Sequence, residues 1–208
     1  MCGRYLIDEE VYADMWMMLN SESGIRNSGL VGEVFPTNIA PVLTRGGAAD
    51  FGVHGYKWGF PHWKGAGVII NARAETALER KMFSKPLLEQ RCVIPSSGYY
   101  EWSGAGGGKK KNKYLLRLPG ERVLFMAGMV SIFRDDAGCE YGAFVILTTA
   151  ANDSVAPIHD RMPVILARDE RGDWLNDDRF MEHVLRRPGP GLIPLDAEAL
   201  LYDAHIAD

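Results

Sequence analysis

The chain has 208 residues, 47% apolar and 24% charged, with a formal net charge of −4. Those values fit one soluble domain that can bury a core without disulfides, and no apolar run approaches the roughly 20 residues that cross a bilayer. The overall acidity argues against bulk-charge binding to nucleic acid. It hides an asymmetry, however: residues 1–120 carry 15 Lys and Arg against 11 Asp and Glu, whereas residues 121–208 carry 8 against 16. A basic groove in the first half is therefore allowed, and the acidic second half also fits a plain solvated face. Cys2, Cys92 and Cys139 form no CxxC pair, so neither a disulfide framework nor a structural zinc site is expected. Cys92 sits in an apolar run and reads as a core thiol. No basic-then-apolar leader opens the chain, which predicts a cytoplasmic location.

The chain begins Met1-Cys2-Gly3-Arg4. A small residue after the initiator methionine usually leads to removal of that methionine, which would make Cys2 the N-terminus. An N-terminal cysteine carries an amine with a pKa of roughly 7.7–8.0 and a thiol of about 8.5 on adjacent carbons. Such an aminothiol can attack an acyl group through sulfur. It can also condense with an aldehyde through nitrogen and close through sulfur into a thiazolidine. A cysteine after Met1 is equally compatible with no chemistry, so the rest of the chain has to decide.

Asp8 caps a predicted helix that runs to about Asn20 on Val11, Met15 and Leu19. Strands are predicted near 51–60, 67–72, 91–101, 113–118, 123–132, 142–149 and 162–168, each rich in β-branched and aromatic residues. A helix is predicted from Ala74 to Gln90 on Leu78, Met82, Leu87 and Leu88. The stretch Gly104 to Lys113 reads as a flexible hairpin tip. Two short helices surround Trp174 and His183, and Pro188-Gly189-Pro190-Gly191 ends the second. With no repeat and no linker, residues 1–208 read as a single α+β domain, with a large, mostly antiparallel sheet and peripheral helices.

Four places put polar groups where strand periodicity does not call for them. Asn71 and Arg73, after the strand Val68-Ile69-Ile70, lie on one face of an extended segment; Glu75 fits a helix cap. Glu101 sits among Tyr99, Tyr100 and Trp102, where desolvation favours a neutral carboxyl and suits a general acid; an edge-strand glutamate in water fits equally well. His159-Asp160-Arg161 fits either a catalytic or phosphate-binding loop or a surface ion cluster. Trp58 and Trp63, interleaved with Lys57 and Lys64, fit base stacking or a core with lysines at its rim.

Taken together, these segments resemble the SOS-response-associated peptidase family, which includes abasic-site shield proteins. The resemblance is carried by Met1-Cys2-Gly3-Arg4-Tyr5, Pro36-Thr37-Asn38-Ile39-Ala40-Pro41, Lys57-Trp58-Gly59-Phe60 and Asn71-Ala72-Arg73-Ala74-Glu75-Thr76. It continues through Arg91-Cys92-Val93-Ile94-Pro95, Gly98-Tyr99-Tyr100-Glu101-Trp102, Phe125-Met126-Ala127-Gly128, Thr148-Thr149-Ala150-Ala151-Asn152 and Ile158-His159-Asp160-Arg161-Met162-Pro163. The resemblance implies a strongly curved, barrel-like sheet in one domain. It implies binding to single-stranded DNA that contains abasic sites, and a covalent thiazolidine crosslink through Cys2 that shields the site. Self-cleavage before Cys2 and lyase-type strand cleavage are implied side activities. The positions that match the family's active site are Cys2, Asn71, Glu101 and His159. Arg4, Asn38, Arg73 and Arg161 fall where the family lines its DNA groove, with Trp58 and Trp63 as candidates to stack on flanking bases. A monomer that uses no cofactor and no metal is expected, cytoplasmic and on the nucleoid when bound to DNA. The tail Leu200–Asp208 departs from the family's usual Pro-Val-Ser ending, so no role carries over to it. The rival is acyl transfer of the kind performed by class II glutamine amidotransferases, which also begin Met-Cys-Gly and need an oxyanion hole. No synthase domain accompanies that opening here.

Overall fold

The computed structural model describes residues 2–18, 31–46, 51–62, 65–103 and 111–199. Met1, Trp63, Lys64, most of the predicted hairpin tip and the tail 200–208 lie outside the described residues. The first half contains strand β1 (Tyr5–Ile7), helix α1 (Glu9–Met18) and strands β2 (Gly32–Val34), β3 (Ile39–Arg45), β4 (Phe51–Trp58), β5 (Phe60–Pro61), β6 (Val68–Ile69) and β7 (Asn71–Arg73). A 3-10 helix (Ala74–Glu79) and helix α2 (Lys81–Glu89) follow, then strands β8 (Arg91–Ser96), β9 (Gly98–Trp102) and β10 (Lys113–Arg117). The second half adds strands β11 (Leu124–Arg134), β12 (Glu140–Ala150), β13 (Arg161–Pro163) and β14 (Ile165–Leu166), helices α3 (Arg171–Asn176) and α4 (Asp178–Arg186), and strand β15 (Ile193–Asp196).

Five strands close on themselves in the order β12-β4-β3-β8-β11, with β11 pairing back to β12. Directions can alternate around a closed ring only when the strand count is even, so five strands require a parallel contact. It falls between β12 and β4, where Ala143 faces Lys57 and Phe144 faces Trp58; the other four pairings are antiparallel. Strand β7 then pairs β12 beyond the point where β4 leaves it, placing Asn71 opposite Ile146 and Arg73 opposite Thr148. A second sheet, in the order β15-β10-β9-β1-β2, lies beside the barrel. The expected α+β architecture, with a curved and mostly antiparallel sheet, is what forms.

Local chemistry explains where long predicted elements break. The strand expected over 51–60 is interrupted at Gly59, whose φ is 114° and whose added Cβ would sit 2.7 Å from Val68 Cβ, so only glycine fits. The strand expected over 91–101 bends at Ser97, where the chain leaves the barrel for the second sheet. Gly98 makes that exit possible, because a Cβ there would meet the Leu116 carbonyl oxygen at 2.6 Å. The helix expected over 74–90 splits at Arg80, whose backbone is extended (φ −93°, ψ 119°). Asp8 does cap α1, accepting from the Val11 N–H at 2.9 Å.

The core is filled by Trp58, Trp174, Tyr5, Tyr99, Phe60 and Phe144, all fully buried. Each such side chain contributes about 1.5–3 kcal/mol by leaving water. Arg91, 4% exposed, is a cation buried in this core. Its guanidinium donates to the Leu87 and Leu88 carbonyls at the end of α2 and to the Trp174 and Leu175 carbonyls at the end of α3. One cation thus satisfies orphan carbonyls of two helices and meets the negative ends of both dipoles.

Candidate active site

The alternation of β9 sorts its side chains onto two faces of the second sheet. Tyr99 and Glu101 share the inner face. Tyr100 and Trp102 take the outer face, where Tyr100 packs with Leu115 and Ala197. Tyr5 pairs with Tyr99 across the ladder, and Tyr100 N–H donates to the Arg4 carbonyl at 2.9 Å. Continued one step, that register sets Glu101 beside Gly3, next to Cys2.

Cys2 is fully buried. Its main-chain carbonyl accepts from the Asn71 side-chain amide at 2.9 Å, which ties the N-terminal segment to β7 and through it to β12. Its Sγ makes a long contact, 4.0 Å to the Arg4 carbonyl. Burial pushes the thiol far above the usual range, and the negative charge of Glu101 pushes it further. The sulfur is therefore a neutral thiol at neutral pH. Asn71 Oδ1 is buried with no hydrogen-bond partner among the described residues, which leaves half of this amide for bonding beside Cys2.

His159 follows a helical turn that Asn152 organises, through bonds to Ser154 N and to the Gly189 and Pro190 carbonyls. Its Nδ1 lies 3.0 Å from the Arg161 N–H and 2.8 Å from Asp160 Oδ1. One nitrogen cannot accept from the first and donate to the second in the same protonation state. The neutral ring accepts from Arg161 N–H and carries its proton on Nε2; the imidazolium donates Nδ1–H to Asp160. Both states of the ring thus have a fixed partner, as proton transfer requires.

Arg161 and Arg73 flank the same end of β12, on β13 and β7 respectively. Arg161 is spent on the protein: its guanidinium grips Glu75 at 2.6 and 2.8 Å and donates to the Thr148 carbonyl at 2.6 Å. Those bonds, before any other influence, hold the Glu75 carboxyl below its usual range. Arg73 is exposed. Asn38 builds a turn, its side-chain oxygen accepting from the Phe35 N–H at 2.9 Å. Thr37 in that turn has φ 74°, a strained value for a β-branched residue.

Trp58 departs from its expected role as a stacking surface. Its indole N–H is satisfied by the Ile70 carbonyl at 3.1 Å, and its ring stacks on Phe144 inside the barrel. No face remains for a base. Trp63, the other expected stacking residue, lies outside the described residues.

Arg4, expected in the groove, sits instead in a cation–aromatic cluster with Phe35 and Trp102, which the sequence did not single out. The Arg4 guanidinium lies 4.2 Å from the centre of the Phe35 ring and 5.0 Å from that of Trp102. Lys113 lies over Tyr100 at 4.0 Å, and Glu33 pairs with both cations. Phe35 is 41% exposed. The alternation in Gly98–Trp102 is the signal that separates Trp102 from Glu101. The exposure of Phe35 follows from the Asn38 turn, which has no periodic signature.

A model of the SOS response associated peptidase family matches residues 1–191. The chain belongs to that family. It is 34% identical over 166 residues to the abasic site processing protein YoaM of Bacillus subtilis, covering 77% of this chain and 70% of that one. It is 32% identical to YoqW of the same organism, over 89% and 87% of the two chains. The abasic site processing protein YedK of Escherichia coli is 32% identical over 139 residues, 66% of this chain and 61% of its own. Among solved structures, a Bacteroides thetaiotaomicron protein superposes with a TM-score of 0.77 at 24% identity, covering 96% of this chain and 94% of its own. A Bordetella bronchiseptica protein gives 0.77 at 22%, over 94% and 99%. These structures share the family's fold.

Among the described residues no helix is long and apolar enough to cross a membrane, and no group of three or more His, Cys, Asp or Glu side chains could hold a metal.

Proposed function

We propose that the protein, once Met1 is removed, captures abasic sites in single-stranded DNA through Cys2 and holds them as a thiazolidine. The observation that carries this reading is the state of Cys2 itself. Its thiol is buried and neutral, and its peptide carbonyl is fixed by Asn71. A neutral thiol is a poor leading nucleophile, which favours an amine-first reaction over acyl transfer through sulfur.

An abasic deoxyribose is mostly a closed hemiacetal. Glu101 relays a proton in the ring opening: it takes the proton of the hemiacetal hydroxyl as that group becomes the aldehyde and passes one to the ring oxygen as the C–O bond breaks. The Cys2 amine adds to that aldehyde, with Asn71 Oδ1 accepting one of its hydrogens. His159 moves the protons that turn the carbinolamine into an imine and water. The thiol then adds across the C=N bond: a C–S bond forms, the S–H bond breaks, and the proton ends on nitrogen. An imine that waits is open to β-elimination of the 3′ phosphate, so fast ring closure shields the strand. Slow closure would give lyase activity.

Arg73 is the exposed cation for a backbone phosphate, while Arg161, locked by Glu75 and Thr148, shapes the loop that carries His159. Phe35, Arg4 and Trp102 form the stacking face for a neighbouring base. A monomer acting in the cytoplasm, on exposed single strands, fits this site. The test is an incubation with a single-stranded oligonucleotide that contains one abasic site, read on a denaturing gel beside an intact-mass measurement. A reductant-free upshift from a protein starting at Cys2 supports the reading. No adduct, or a full adduct from protein that retains Met1, overturns it.

A further inference from the structure

Glu33 binds two cations at once. On β2 it stands opposite Leu6 of β1, two residues past Arg4, so Glu33 and Arg4 share the outer face of the second sheet. Lys113, at the start of β10, stands opposite Trp102 of β9 on that same face. The Glu33 carboxylate spends one oxygen on each neighbour: Oε2 accepts from Arg4 Nη1 at 3.1 Å, and Oε1 accepts from Lys113 Nζ. Both cations also lie over the Trp102 ring, at 5.0 and 5.9 Å from its centre. One carboxylate thus bridges two cations beside an aromatic ring. The Arg4 and Lys113 side chains stay 29% and 23% exposed, so an oxygen from outside can reach them.

A carboxylate in that position offers what a backbone phosphate offers, one negative charge and two accepting oxygens. Arg4 lies two residues after Cys2, at most about 7 Å along the chain. A strand with its abasic sugar at Cys2 therefore carries a neighbouring phosphate past Arg4 and Lys113. That phosphate gains little from the two cations while Glu33 holds them, because each new ion pair replaces an old one. Intact and abasic strands meet the same handicap in reversible binding. They differ afterwards: an abasic strand becomes covalently attached, whereas an intact strand is held only by contacts of this kind.

We propose that Glu33 is a specificity residue: it stands in for a backbone phosphate between Arg4 and Lys113, and so makes the protein let go of undamaged single strands. The inference rests on the abasic-capture reading above. Discrimination comes from weakening the wrong complex, with no new contact to the right one. A protein that releases intact DNA quickly samples more sites, and covalent capture needs only a brief encounter at an abasic one.

The experiment measures binding of an undamaged single strand to wild type, Glu33→Gln, Lys113→Gln and the double variant by fluorescence anisotropy, from about 50 to 500 mM salt. Glu33→Gln should bind about tenfold tighter at the low end. Its log affinity should also fall more steeply with log salt, by about 0.7, the slope of one further phosphate contact on a single strand. The gain from Glu33→Gln should shrink to about threefold or less when Lys113 is also replaced, because the two substitutions act on one cluster. In crosslinking of an abasic oligonucleotide, Glu33→Gln should be half-inhibited by about tenfold less undamaged competitor than wild type. A Glu33→Gln protein that binds undamaged DNA equally well or more weakly overturns the proposal; weaker binding is what a brace that only positions Arg4 would give. A tightening that does not vary with salt, or that persists in full without Lys113, overturns it too. Failure of the capture reading is a separate result, a wild type that gives no adduct on abasic DNA.

Discussion

Asn71 donates its side-chain amide to the main-chain carbonyl of Cys2 over 2.9 Å. The residue that opens β7 therefore sets the position of the peptide unit of Cys2, the proposed nucleophile, and β12 in turn fixes β7 through the barrel. Replacing it with alanine should leave the fold intact and loosen the N-terminal segment. Borohydride-trapped imine should form about 10- to 100-fold more slowly in Asn71→Ala, the range expected when one preorganised hydrogen bond at a reacting centre is lost. Trapping kinetics on an abasic oligonucleotide measure this directly, and an unchanged rate would remove Asn71 from the chemistry.

The Glu75–Arg161 pair predicts a particular pH dependence. The Glu75 carboxyl is held below its ordinary value of 4.5, first by the Arg161 hydrogen bonds. A carboxyl depressed in the folded state contributes stability above its unfolded value and loses it as pH falls through the folded one. Wild type should therefore melt higher than Glu75→Gln near neutral pH, and the gap should close below about pH 4.5. Melting curves of the two proteins from pH 7 to 3 test it. A gap that is constant with pH would contradict the ion-pair account.

Arg91 is predicted to be a stability residue with no part in the reaction. Arg91→Met would orphan carbonyls at the ends of both α2 and α3 and should cost about 3 kcal/mol or more in denaturant unfolding. Asp178, its carboxylate partner at 2.9 Å, is 68% exposed and remains hydrated when unpaired. Asp178→Asn should therefore cost under about 1 kcal/mol. Equal losses for the two would show that the ion pair, and not the helix ends, is what Arg91 serves.

Trp58 and Trp102 should behave in opposite ways. Trp58→Ala empties a buried site in the barrel and should cost about 3–5 kcal/mol of stability. Trp102→Ala and Phe35→Ala should keep the fold and weaken single-stranded DNA binding by about 1–3 kcal/mol each, the scale of a base stacked on an aromatic ring. Fluorescence titration with a short oligonucleotide, beside melting curves, separates the two effects. Undiminished DNA binding in Trp102→Ala would remove the stacking face from the account.

Much of this architecture was legible in the sequence. The apolar runs around Val93 and Val145 are buried on both faces, and they are strands as their composition demands. Asp8 caps α1 because an aspartate before an apolar-periodic stretch can do so wherever the helix packs. Three-residue strands such as Tyr5–Ile7 and Gly32–Val34 were not legible, because they are too short for a period and exist through their pairing to one another. Barrel closure was also hidden, since it depends on which distant strands meet.

At the site, Asn71 and Glu101 stood out as polar groups breaking strand patterns. Trp58 misled because a tryptophan beside a lysine has the same pattern whether the ring faces a base or the core. The decisive facts, the Phe144 stack and the Ile70 carbonyl that takes the indole N–H, are tertiary. Arg91 gave no signal, because the carbonyls it caps come from helices on both sides of it in the chain.

The central claim is that the Cys2 amine attacks first and its sulfur closes the ring. The most direct measurement is Cys2→Ala beside wild type, each with Met1 removed, on one abasic oligonucleotide with and without borohydride. The account predicts that wild type gives a crosslink without reductant and cuts little DNA. Cys2→Ala, which keeps the amine, should give an adduct only when borohydride traps it and should otherwise cleave the strand. A Cys2→Ala protein that forms the wild-type, reductant-independent crosslink would show that sulfur is not part of the adduct. One that forms no adduct even with borohydride would show that the amine does not lead.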